Sequence, residues 1–89
     1  MNGHQYERGE VRIFEFQVTA MTAAPVVILS AVWELKNLGT VICRGNCDID
    51  QDCISMLVPL HAAGDFTLEV RVEIPPETII ERMRVKVVE

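Results

Sequence analysis

An all-β protein, an antiparallel sandwich of six or seven short strands, is what this sequence predicts, and three observations predict it. Apolar and polar residues alternate with a period of two over most of the chain. Turn-forming residues interrupt the alternation at short intervals, and no segment carries a convincing helical repeat. The last third is the clearest case. Phe66, Leu68, Val70, Val72 and Ile74 fall on one face, and Thr67, Glu69, Arg71 and Glu73 on the other.

Taken in order, residues 1–10 are polar, include two glycines and read as a flexible tail ahead of one domain over residues 11–89. Residues 11–19 form the first strand, with Phe14, Phe16 and Val18 sharing a face with Arg12, and Ile13, Glu15 and Gln17 opposite. Residues 21–25 connect it to a β-prone run over residues 26–36. A break near Leu29-Ser30 would leave Ala31, Trp33 and Leu35 pointing inward. Asn37-Leu38-Gly39 is a turn in which Gly39 can take a positive φ. A short strand over residues 40–44 ends at Gly45-Asn46, and residues 48–52 are an acidic edge or loop. The strand over residues 54–60 carries Ile54, Met56, Val58 and Leu60 on one face, and Pro59 marks it as an edge. His61 to Asp65 turns into the final hairpin, which bends at Pro75-Pro76-Glu77-Thr78. Matching charges across that hairpin favours Val72 opposite Met83, Glu73 opposite Arg82 and Glu69 opposite Lys86.

Composition narrows the function. Eighty-nine residues make one small domain with an aliphatic core, modestly stable alone, so that a protein partner or a homo-oligomer would help it. A net charge of −5 excludes nucleic acid as a partner, because there is no basic surplus to displace counterions from phosphates, and it argues against an anionic membrane surface. The longest apolar run, residues 23–33, is too short to span a bilayer and holds Pro25 and Ser30. The N-terminal residues lack the apolar core of a secretory signal. A cytoplasmic location, or packing into a particle assembled there, is expected, with the odd count of three cysteines favouring reduced thiols.

Three constellations could carry chemistry. Cys43, Cys47, Cys53 and His61 supply four zinc-type donors, and with them a metal-binding or thiol redox domain is the alternative reading. The spacing lacks the C-x2-C knuckle that aims two sulfurs at one point. The simpler reading is small residues on a strand and its flanking loop. Cys43 and Cys53 could lie on neighbouring strands and oxidise in vitro. Asp48, Asp50 and Asp52 resemble the opening of a calcium loop, but Cys53 stands where the glycine belongs and Pro59 where the bidentate glutamate belongs. A solvated acidic edge explains them more simply. Cysteine with His61 is a formal nucleophile and base, without an oxyanion-hole signature or a glycine-rich turn. A carbohydrate-binding surface would need exposed aromatics beyond Tyr6 and Trp33. No enzyme, cofactor or metal centre is expected.

Ala31-Val-Trp33-Glu-Leu35 followed by the Gly39 turn, Ala63-Gly64-Asp65-Phe66-Thr-Leu68 opening a strand, and a last hairpin ending Val85-Lys-Val87 together resemble a group of small immunoglobulin-like proteins encoded in phage and prophage structural-gene clusters. The likeness covers about residues 11–88 and rests on fold-defining positions. The chain departs from the group at Pro75-Pro76-Glu77-Thr78, where a glycine-containing turn is usual, and in its three cysteines. The resemblance implies an immunoglobulin-like sandwich and a non-enzymatic virion or assembly protein acting through strand edges or self-association. The expected interface residues are Val26, Ile28 and Val32 on one strand and Ile54, Met56 and Val58 on the presumed edge. For the first three, a covered second face of the same sandwich is the competing reading.

Overall fold

The computed structural model describes residues 5–18 and 27–89. The expected connector over residues 21–25, Thr19 at the end of the first expected strand and the interface candidate Val26 lie outside the described residues. Among the described residues there are eight strands and no helix: β1 (Gln5–Glu7), β2 (Val11–Gln17), β3 (Ser30–Asn37), β4 (Thr40–Asn46), β5 (Asp48–Asp50), β6 (Cys53–Pro59), β7 (Gly64–Ile74) and β8 (Glu77–Val88). They form a five-stranded sheet ordered β1-β8-β7-β3-β4 and a three-stranded sheet ordered β2-β6-β5. Every pairing is antiparallel except β1 with β8, which is parallel, so the larger sheet is mixed.

The alternation seen in the sequence becomes the inside and outside of a two-sheet sandwich. Phe14, Ile54, Met56 and Val58 from the small sheet meet Ala31, Trp33, Leu35, Leu68, Val70, Val72, Val85 and Val87 from the large one in a single buried cluster. Leu68, Val70 and Val58 lose all their accessible surface. At roughly 1.5–3 kcal/mol for each fully buried aliphatic side chain, this interlayer is the main source of stability. Trp33 lies inward, as its place in the alternation requires.

The segment expected as a tail contributes a strand. Gln5, Tyr6 and Glu7 pair with Lys86, Val87 and Val88, and Tyr6 is buried, its ring edge-on to Phe14 at 5.7 Å. The link to β2 then crosses between the sheets. Arg8 N–H donates to Val88 O at 2.8 Å, Gly9 N–H to Leu60 O at 2.7 Å, and Leu60 N–H to Glu10 O at 2.9 Å. A polar segment with one aromatic gives no periodic signal, which is why pattern reading passes over it.

Four further expectations are corrected. β6 is the central strand of the small sheet, not its edge. β5 covers only Cys53 to Ser55, so the Pro59 end has no β5 partner and a proline is tolerated there. Gly45 does not end a strand. It lies within β4 opposite Trp33, where a β-carbon would sit 2.9 Å from Trp33 Nε1. Cys43 and Cys53 are on different sheets, and both are free thiols.

The fourth correction is the final hairpin, which closes with two residues, Pro75 and Pro76, so that Ile74 faces Glu77. The expected register, with Val72 opposite Met83, would have put Arg71 against Arg84. The tighter closure puts Glu69 opposite Arg82 and Asp65 opposite Lys86, with Arg71 facing Ile80. Arg82 Nε reaches Glu69 at 2.8 Å, and Lys36 Nζ reaches the same carboxylate at 3.2 Å. These two cations resolve the Glu34–Glu69 pairing between β3 and β7. The hydrogen bond from Arg82 holds the Glu69 carboxyl below the usual carboxylate range, aided by Lys36 against some desolvation.

Candidate interaction surfaces

Two surfaces are left uncovered by the packing. The first is the outer edge of β8. β1 occupies it only along Lys86 to Val88, so the eight residues before these, Thr78 to Val85, have no strand partner on that side among the described residues. Which groups point outward follows from one hydrogen bond. Val88 O accepts from Arg8 on the β1 side, and a strand residue directs its N–H and C=O to the same side. The register to β7 runs without a shift, so Thr78, Ile80, Arg82 and Arg84 direct theirs outward as well.

This edge borders a cleft of about 230 Å³ between the sheets, lined by Phe16, Gln17, Val18, Ile54, Val70, Val72, Ile79 and Glu81. The floor is apolar. Glu81, which faces Val70 across the ladder, and Gln17 supply its polar rim.

The second surface is the outer face of the small sheet. Ile13 pairs with Leu57 and Val11 with Pro59, and Val11, Ile13 and Leu57 are 53%, 66% and 60% exposed. Along the same face come Glu15–Ser55–Asp48 and then Gln17–Cys53–Asp50. The face therefore passes from apolar to acidic over four residue positions. Sequence alternation places Ile13 outward. That Leu57 joins it depends on the β2–β6 register, which periodicity alone does not supply.

The expected interface residues are redistributed. Ile54, Met56 and Val58 are in the core with no more than 2% exposure, and cannot form a surface. Their inward direction follows from β6 being sandwiched against β7 and β3 instead of standing at the rim. Val32 is exposed on the outer face of the large sheet, and Ile28 is half-buried against the core.

The cysteines and His61 do not converge. Cys43 points inward from β4, Cys47 is buried between β4 and β5, Cys53 is exposed on the small sheet, and His61 is exposed beyond Leu60. Among the described residues no three His, Cys, Asp or Glu side chains are grouped to hold a metal ion. Burial, then the neighbouring Asp48, pushes the Cys47 thiol up to about 11. Burial also raises Cys43. Cys53 is raised by desolvation and by Asp52, whose carboxylate accepts its S–H at 3.7 Å. All three shifts oppose the thiolate that nucleophilic or redox chemistry needs. Asp48 and Asp50 lie along the exposed β5 edge, and Asp52 accepts a hydrogen bond from Gln17 Nε2 at 3.1 Å. Tyr6 and Trp33, the aromatics a sugar would need, are both buried. No helix among the described residues is long and apolar enough to cross a membrane.

Compared with known proteins, the chain matches no family model, no curated protein and no solved structure.

Proposed function

We propose that this protein is a non-enzymatic interaction module of immunoglobulin-like fold, of the kind encoded among phage and prophage structural genes, and that it binds an extended segment of a partner protein along β8. Strand order supports the fold reading. β2-β6-β5 corresponds to the B-E-D sheet, and β8-β7-β3-β4 to the G-F-C sheet extended by C′, with β1 alongside the last strand. Trp33 occupies the inward position on the third of these strands that such sandwiches give to tryptophan. Leu68, two residues after Phe66, stands where antibody domains carry the second cysteine, so apolar packing replaces the bridge.

The observation that carries the functional reading is the eight-residue open edge lying over an apolar cleft. An added strand would take up the outward N–H and C=O groups and send alternate side chains inward. Symmetric pairing of two β8 edges is disfavoured in two of its registers. Centring it on Glu81 opposes two glutamates, and centring it on Arg82 opposes two arginines. A different partner, with a basic residue beside Glu81, fits better.

The test is a titration of isotope-labelled protein with peptides alternating Val and Thr around a central Lys, followed by backbone NMR. Shifts should concentrate at Thr78, Ile80, Arg82 and Arg84, and Ile80→Pro should abolish them. That proline removes one outward donor and no β7 hydrogen bond. Shifts centred elsewhere, or binding unaffected by Ile80→Pro, would sink the reading.

A further inference from the structure

The charges divide unequally between the two outer faces. Lys36, Arg44, Arg71, Arg82, Arg84 and Lys86, six of the eight basic residues, lie on the outer face of the large sheet. Five acids share that face, Glu7, Glu34, Asp65, Glu69 and Glu73, which leaves it net positive by one. Glu15, Asp48 and Asp50 stand on the outer face of the small sheet with no basic residue among them. Arg71 and Arg84 make no ion pair among the described residues.

The rows on the two faces can be set against each other strand by strand. On the small sheet the Ile13–Leu57 row is followed by the Glu15–Asp48 and Gln17–Asp50 rows. On the large sheet the Val32–Arg71–Ile80 row is followed by the Glu34–Glu69–Arg82 row and then the Lys36–Thr67–Arg84 row. Each sequence of rows spans four residues along a strand, about 13 Å. With β2, β6 and β5 laid over β3, β7 and β8, Ile13 meets Val32, Leu57 meets Arg71, Asp48 and Asp50 arrive over Arg82 and Arg84, and Glu15 over Glu34 is the one like-charge contact.

We infer that copies of this chain stack head to tail, the small-sheet face of one on the large-sheet face of the next. Such a contact is heterologous. It leaves an unused face at each end and so propagates into a ring or a filament. The area, roughly 300 Å² on the three-stranded face, is well below the ~800 Å² per partner of a standard interface. One contact is weak, and repetition strengthens it. Because the attraction is between exposed charges, salt weakens it.

The experiment is analytical ultracentrifugation of the full chain at up to about 1 mM protein, in about 50 mM and about 500 mM salt. One variant, Ile13→Asp with Leu57→Asp, spoils the small-sheet face. A second, Arg71→Glu with Arg84→Glu, spoils the large-sheet face. All four positions are exposed, and circular dichroism melts check that each variant folds; Glu15→Lys with Asp50→Lys replaces the first if it does not. The wild type is expected to self-associate at low salt, at least about tenfold more weakly at high salt. Each variant alone should be monomeric, and a mixture of the two should form a heterodimer and stop there. A monomeric wild type, association that grows with salt, or a mixture no different from its components would overturn the inference. None of these substitutions alters the β8 backbone, so failure here is separable from failure of strand addition.

Discussion

Replacing Gly45 with alanine should destabilise this protein, against the usual direction for that change. Gly45 has no positive φ, and at such a site Gly→Ala ordinarily stabilises by about 0.4–1 kcal/mol, because the unfolded chain loses freedom. Here the new methyl would lie 2.9 Å from Trp33 Nε1 and 3.1 Å from Cε2 and Cζ2. Carbon contacts are comfortable from about 3.5 Å outward, so ring or strand must give by about half an ångström. Trp33 is only 5% exposed and is held by the interlayer, so the indole cannot swing away. Overpacking of this kind costs about 1–3 kcal/mol. Set against the entropic gain, a net loss of about 1 kcal/mol remains, a fall in Tm of about 4–8 °C for a domain this size. Thermal unfolding followed by circular dichroism reads it. The control is Trp33→Phe, which lacks the atoms the methyl meets. In that background Gly45→Ala should regain its stabilising sign. A rise in Tm in the wild-type background, or no coupling between the two positions, would refute the reasoning.

Other perturbations have equally definite signs. Leu38 is 99% exposed and held at φ 52°, beside Gly39 at 84° in the β3–β4 turn, so Leu38→Asn should stabilise by about 1 kcal/mol in urea unfolding. Cys47 titrates higher in the folded protein than in the unfolded chain, so its contribution is complete below about 9 and is lost as pH climbs from about 9 to about 11. Cys47→Ala should flatten that alkaline decline in urea midpoints. Glu69 has the opposite sign: its stabilisation is present above the unfolded carboxylate value of 4.5 and is lost as pH falls through the lowered folded value, so Glu69→Gln should flatten the acid limb. Cys53 should be the first thiol to react with a disulfide reagent near neutral pH, and faster in Asp52→Ala, which removes both the charge and the acceptor that raise its pKa.

The sequence was most legible where one side chain in two must be buried. The strands containing Phe14, Trp33 and Val70 and the directions of those residues follow from period two alone, as does the positive φ of Gly39. What periodicity does not carry is which strand lies beside which. Pro59 points to an edge for β6 because it speaks only about a missing neighbour at its own end, while β5 pairs at the other. The hairpin register was missed because two prolines do not advertise a two-residue closure. Cross-strand charges then had to choose among registers without knowing that β3 lends Lys36 to the same carboxylate. Gly45 reads as a strand terminator until Trp33 is seen against it. The candidate surfaces were the least legible part. An open edge is defined by the strand that does not pair there, and the exposed Ile13–Leu57 patch by a pairing between segments more than forty positions apart.

The open edge itself is tested most directly by residue-resolved hydrogen exchange on the isolated protein. Along β8, the amides of Ile79, Glu81 and Met83 point to β7 and should exchange slowly. Those of Thr78, Ile80, Arg82 and Arg84 point outward and should exchange at rates close to those of an unstructured peptide. That alternation is the predicted result. Uniform protection from Thr78 to Arg84 in dilute monomer would mean that the chain already covers its own edge, and the strand-addition account would fall.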